Sequence, residues 1–156
     1  MMHLHLQDAA ATDALGQRLA AQRPAHAVVH LYGDLGAGKS TLARALLRAL
    51  GVTGTIRSPT YTLVERYPLA DGSEAWHLDL YRIGDPGELE FLGIDHDAVA
   101  LWLVEWPERG ASALPAPDLR LSLAIEGEGR RLQVAANTAI GQAWVDRVLA
   151  MESLET

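Results

Sequence analysis

The chain has 156 residues and a formal charge of −7, which is length enough for one well-buried core and the wrong sign for a broad surface that holds RNA or DNA. It contains no cysteine, which excludes disulfides, thiolate metal sites and a cysteine nucleophile. No run of about 18 apolar residues is present for a membrane span, and the opening "MMHLHLQDAAATD" lacks the basic-then-apolar order of an export signal. The expectation is one domain over residues 1–156, cytoplasmic and without a membrane partner.

Asp8 stands where it can cap a helix running to about Gln22, because Leu15 and Leu19 lie four apart on one face and Pro24 ends the pattern. Residues 28–32 form a short apolar run before Gly33 and predict a buried strand, and residues 39–50 predict a helix stopped by Gly51. Residues 61–67 and 75–81 are rich in β-branched and aromatic side chains around Asp71-Gly72, so they predict an antiparallel hairpin. The stretch after Pro86 reads as helical with Leu89 and Leu92 inward, and "VALWLVEW" as an apolar strand ending at Glu105. "LRLSLAIEGEGRRLQVAA" alternates on both sides of a glycine turn and predicts a second hairpin, and residues 139–151 close the chain as a helix. His3 and His5 fall in a segment expected to be mobile, and the six histidines show no other close ligand spacing, so no zinc site is expected.

Between the first strand and the second helix lies "GDLGAGKS", residues 33–40, which fits the phosphate-loop pattern of glycine, four residues, then Gly-Lys-Ser. Glycines let backbone amides turn inward as an anion nest, and a helix beginning near Lys39 adds its positive dipole end. Lys39 then reaches the β- and γ-phosphates and Ser40 can ligate Mg²⁺. Lys39 is the only lysine beside twelve arginines, and a compact ammonium serves as a point charge where a planar guanidinium does not.

Such a loop needs an acid for the metal at the end of a neighbouring buried strand. Glu105 follows an apolar strand and has the better position; Asp79 sits within the alternating strand of the first hairpin. Mg²⁺ takes one or two carboxylates and retains waters, so both can serve, one directly and one through water. Thr60 and Thr62, in "SPTYTLVE", are candidates to meet the γ-phosphate or its metal. Guanine-specific proteins commonly read the base with an Asn/Thr-Lys-x-Asp motif. The only lysine here is Lys39 and the only asparagine Asn137, so ATP is the preferred nucleotide.

"GDLGAGKST", "SPTYTLVERY", "HLDLYR", "ELEFLGID" and "LVEWPERG", in this order and spacing, resemble the bacterial TsaE family, also called YjeE. That family is the ATPase component of tRNA threonylcarbamoyladenosine biosynthesis, and the resemblance covers nearly the whole chain. It implies a three-layer α/β phosphate-loop fold with a mainly parallel central sheet extended by antiparallel hairpin strands. It implies ATP phosphate contacts at Gly36, Ala37, Gly38, Lys39, Ser40 and Thr41, and Mg²⁺ at Ser40 and Glu105. A catalytic or sensing role for Asp79 and a switch role for Thr60 follow from it as well. "TDALG" points to Thr12 beside the nucleotide and "GR" in the second hairpin to Arg130. Family members commonly carry Thr where this chain has Ser40, and either hydroxyl can ligate the metal. The implied partners are TsaD and TsaB, with tRNA reached through them, and the implied use of ATP is to keep that complex turning over at adenosine 37.

Two other readings compete. A small-molecule kinase would use the same loop, but it usually needs an arginine-rich lid, and no cluster of arginines lies between the helical segments. A nucleotide-gated assembly module that binds ATP without meaningful hydrolysis would have almost the same sequence.

Overall fold

The computed structural model describes residues 2–60, 62–92, 98–110 and 113–155, with the backbone alone at 90–92 and 152–155. The elements run β1 (Met2–Leu6), α1 (Ala9–Ala21), β2 (Ala27–Tyr32), α2 (Lys39–Ala49), β3 (Val64–Pro68), β4 (Glu74–Asp79), a 3-10 segment (Pro86–Leu92), β5 (Val99–Glu105), β6 (Leu119–Glu126), β7 (Gly129–Ala136) and α3 (Ala139–Glu155). The strands form one sheet in the order β1-β7-β6-β2-β5-β4-β3. Its middle, β6, β2, β5 and β4, is parallel, while β3 and β7 pair antiparallel with their neighbours. The expected sheet is present, and its two hairpins lie on opposite sides of the parallel centre.

β5 shows why the centre is parallel. All seven of its residues are buried, which requires cover on both faces. Leu101 and Leu103 join Val29, Leu31, Leu119 and Leu121 under Leu15, Leu19, Leu42, Leu46 and Trp144 of the three α-helices. Trp102 and Val104 face the other way with Trp76 and Leu78, against Leu80, Ile83, Leu89 and Leu114. The three layers are therefore unequal: α-helices cover one face, and the 3-10 segment with its adjoining loops covers the other.

Three expectations change. The first residues are not a loose end: β1 pairs with β7 over five residues, from Met2 with Val134 to Leu6 with Arg130, because the period-two alternation of Leu4 and Leu6 places Leu6 in the core. β4 stops at Asp79, whose carboxylate accepts the Tyr81 N–H at 3.0 Å and turns the chain away. The segment after Pro86 is a 3-10 helix, started by the Asp85 carboxylate accepting the Gly87 N–H at 2.8 Å. Leu89 is buried as expected; Tyr61, the side chain of Leu92, and residues 93–95 of "ELEFLGID" with the two that follow lie outside the described residues.

Candidate functional site: a glycine loop and the carboxylates beside it

β2 delivers the chain to Gly33, whose φ is 142°. A Cβ there would collide with the Leu123 carbonyl oxygen of β6, so only glycine lets the chain leave the sheet at this point. The Ala37 N–H closes a turn on the Asp34 carbonyl at 3.1 Å. Gly38, at φ 107°, starts α2 in a left-handed conformation with no side-chain cap. The first N–H groups of α2 are thus left to the concavity of the loop, which is what an anion nest requires.

Lys39 is buried. Its ammonium donates to the carbonyls of Gly33 and, at 3.1 Å, Asp34, and stands 4.4 Å from the centroid of the Trp106 ring. Burial pulls its pKa below the ordinary lysine value, while Glu105, Asp79, Glu108 and Asp34 pull it back up. Trp106 reaches this place because its own backbone is left-handed, with φ 57° just after β5. Tyr81 packs against its ring at 5.0 Å between centroids, and the Arg109 guanidinium lies over Tyr81 at 5.3 Å. Among the described residues Leu63, in the threonine segment, is the other non-glycine residue with positive φ, at 72°. Trp106 thus lies against Lys39 of the loop, and the Leu63 carbonyl accepts the Asp79 N–H at 3.0 Å.

Glu105 ends β5 with its carboxylate buried. The Ser40 hydroxyl lies 3.0 Å from each of its two oxygens, which ties α2 to the sheet. Parallel register pairs Asp79 of β4 with Glu105, so the two carboxylates stand side by side at the carboxyl ends of adjacent strands. Asp79 is buried too, and so is not an exposed-face carboxylate. The Thr60 hydroxyl donates to Asp79 Oδ2 at 3.3 Å, whereas Thr62 turns outward and donates to Glu65 at 3.0 Å. Of the two threonines, only Thr60 joins the carboxylates. His77, two residues before Asp79, donates from Nε2 to Glu105 Oε2 at 2.6 Å.

Arg130, at the start of β7, donates from Nε to the Ala37 carbonyl at 3.0 Å and from a terminal nitrogen to the Gly36 carbonyl at 3.3 Å. It also borders a cavity of about 180 Å³ with Thr12, Gly38 and Thr41. Thr12 and Arg130 therefore flank the loop from the side opposite Glu105. Apart from Thr62, the structure brings the expected site residues around one loop. His77, Trp106, Tyr81 and Arg109 received no role from the sequence, although "HLDLYR" and "LVEWPERG" contain them. The signal for His77 was its i, i+2 spacing from Asp79, which places both on one face of a strand.

The donor set suits magnesium. Ser40 and Glu105 offer hard oxygens that already converge, and among the described residues no cluster of three or more His, Cys, Asp or Glu forms an all-protein metal cage. Mg²⁺ is held in this sparse way, by one or two carboxylates plus phosphate oxygens and waters.

A glycine loop at a strand-to-helix junction, tied by a serine to the acid that ends the adjacent parallel strand, defines the phosphate-loop class of α/β folds. A family model described as "Threonylcarbamoyl adenosine biosynthesis protein TsaE" matches residues 6–133. The chain belongs to the TsaE family. It is 44% identical to the tRNA threonylcarbamoyladenosine biosynthesis protein TsaE of Haemophilus influenzae over 117 residues, 74% of this chain and 73% of that one. It is 38% identical to the protein of the same name from Streptomyces coelicolor over 137 residues, 83% and 91% of the two chains. The crystal structure of Bacillus subtilis YdiB superposes with a TM-score of 0.78 at 23% identity, over 97% of this chain and 95% of that one, a likeness of fold. Among the described residues no helix is long and apolar enough to cross a membrane.

Proposed function

We propose that this chain binds and hydrolyses ATP with Mg²⁺ in the cytoplasm, as the energy-using component of the machinery that forms N6-threonylcarbamoyladenosine at position 37 of tRNAs reading codons that begin with A. It acts with TsaD and TsaB and does not itself transfer the threonylcarbamoyl group. The observation that carries this reading is the Ser40–Glu105 contact, which joins the loop to a strand-end acid with Asp79 and Thr60 alongside.

Bound ATP with its magnesium ion supplies a labile phosphoanhydride and the charge that polarises it. The amides at the start of α2 and the Lys39 ammonium hold the phosphates; Ser40 and Glu105 hold the ion. Asp79 orients the attacking water, and Thr60, bonded to Asp79, carries the state of the γ-phosphate into the segment before β3. Thr12, Thr41 and Arg130 border a cavity on the other side of the loop, which would take the nucleoside end of the ligand. A charge of −7 leaves tRNA affinity mainly to the partners.

The test is ATP turnover by the chain alone and with TsaD and TsaB, for wild type, Glu105→Gln, Thr60→Ala and Arg130→Ala. Wild type should be slow alone and rise with partners, because the segment carrying Thr60 contains no arginine finger of its own. Glu105→Gln should keep metal-free nucleotide binding and lose Mg²⁺-dependent turnover, since it keeps the shape of the side chain and removes the charge that would hold the ion. A lone chain already at the partner-stimulated rate would remove the coupling, and a wild type that binds no ATP would remove the whole reading.

A further inference from the structure

His77 lies in the middle of β4 and is fully buried. Strand alternation turns it to the same face as Asp79 and, through parallel register, toward Leu103 and Glu105 of β5. A carboxylate only accepts, so Nε2 carries the hydrogen in its 2.6 Å bond to Glu105 Oε2. Among the described residues Nδ1 is buried without a hydrogen-bond partner. A leucine or phenylalanine would fill this place between Trp76 and Leu78 with no unsatisfied nitrogen. What the imidazole adds, and an apolar side chain could not, is the bond to Glu105.

That bond makes the two oxygens of Glu105 unequal. Ser40 is equidistant from both, and His77 occupies Oε2 alone. We propose that His77 is the positioning residue of the site: by holding Oε2 from beneath the sheet end, it fixes the carboxylate plane and presents Oε1 to the magnesium ion. This rests on the ATP–Mg²⁺ reading of the same site. Partners that orient a ligating carboxylate typically change metal affinity 10- to 100-fold when removed.

The experiment measures affinity for a non-hydrolysable ATP analogue in EDTA and across a Mg²⁺ titration, with the thermal midpoint of each unliganded variant. The variants are His77→Phe, which keeps ring volume without a donor, His77→Asn, whose amide falls short of Oε2, and His77→Gln, whose amide reaches it. Phe and Asn should shift the Mg²⁺ midpoint upward by about 10- to 100-fold and leave affinity in EDTA unchanged, while Gln stays close to wild type. If Phe does not fold, the Asn and Gln pair decides. The proposal is overturned if Asn keeps the wild-type midpoint, if Gln loses as much as Asn, or if affinity in EDTA falls in step with affinity in Mg²⁺. A wild type with no Mg²⁺ dependence at all would instead overturn the metal reading on which it rests.

Discussion

Lys39 is surrounded in a way that explains why this arginine-using chain spends its one lysine there. The ammonium lies between two loop carbonyls and the face of Trp106, where it acts as a compact point charge that a planar fork does not reproduce. Burial lowers its pKa below the ordinary lysine value, and four carboxylates oppose that shift. Hydrogen bonds to charged groups contribute about 1.5–3 kcal/mol, so Lys39→Ala should weaken nucleotide binding by about 10- to 100-fold. Lys39→Arg should weaken it as well, since a planar guanidinium does not reproduce the compact, rotatable donors of an ammonium. Calorimetric titration with nucleotide, beside a thermal melt to show that the loop variant is folded, checks both. An Ala variant with wild-type affinity would mean that the loop does not hold phosphate through this residue.

At the scale of elements, the crossing of α1 and α2 sets how closely Thr12 approaches the loop. Gly16 makes that crossing: a Cβ placed there would lie 2.7 Å from the Ala45 Cβ and 2.9 Å from two backbone atoms of α2. Two effects oppose each other in Gly16→Ala. Helix propensity favours alanine by about 1 kcal/mol, while overpacking costs about 1–3 kcal/mol, and packing should win because backbone cannot step aside as a side chain does. Thermal denaturation should show a midpoint a few degrees lower, at roughly 2–4 °C per kcal/mol for a chain of this size. Adding Ala45→Gly should restore only part of the loss, since it removes one of the three close contacts. A single variant more stable than wild type would show that α1 slides freely on α2, and that Gly16 does not hold Thr12 in place.

For the whole molecule, the parallel centre of the sheet is held by buried residues of β2 that include one titratable group. His30 is 7% exposed and donates from Nε2 to the Pro115 carbonyl at 3.2 Å. Burial lowers its pKa to about 4; the bond to Pro115 opposes this, and the Arg120 charge adds to it. The unfolded chain, with a histidine near 6.5, therefore binds a proton that the folded chain refuses. Stability should fall as pH drops from about 6.5 toward about 4, by at most about 1.4 kcal/mol per pH unit from this residue, and level off below. Across that range the urea midpoint of wild type should fall more steeply than that of His30→Gln, which has no imidazole to protonate. Parallel curves would assign the acid sensitivity to other groups.

Local chemistry by itself determined the glycine loop, the roles open to Lys39 and Ser40, the strand ending at Glu105, and both hairpins. Each depends on residues within about one element of one another: glycine φ angles, an apolar run, a period-two alternation. Tertiary structure decided what depends on register. Asp79 reaches the site because β4 pairs parallel with β5, residue 79 against 105, and Thr60 rather than Thr62 follows because the segment before β3 is folded onto that carboxylate. Arg130 arrives at Gly36 across 94 residues, and β1 is a strand only because β7 offers it an edge. A shift of one residue in any of these pairings would turn the side chain to the other face of the sheet. That alignment is fixed by packing between distant segments, and no periodicity within a segment encodes it.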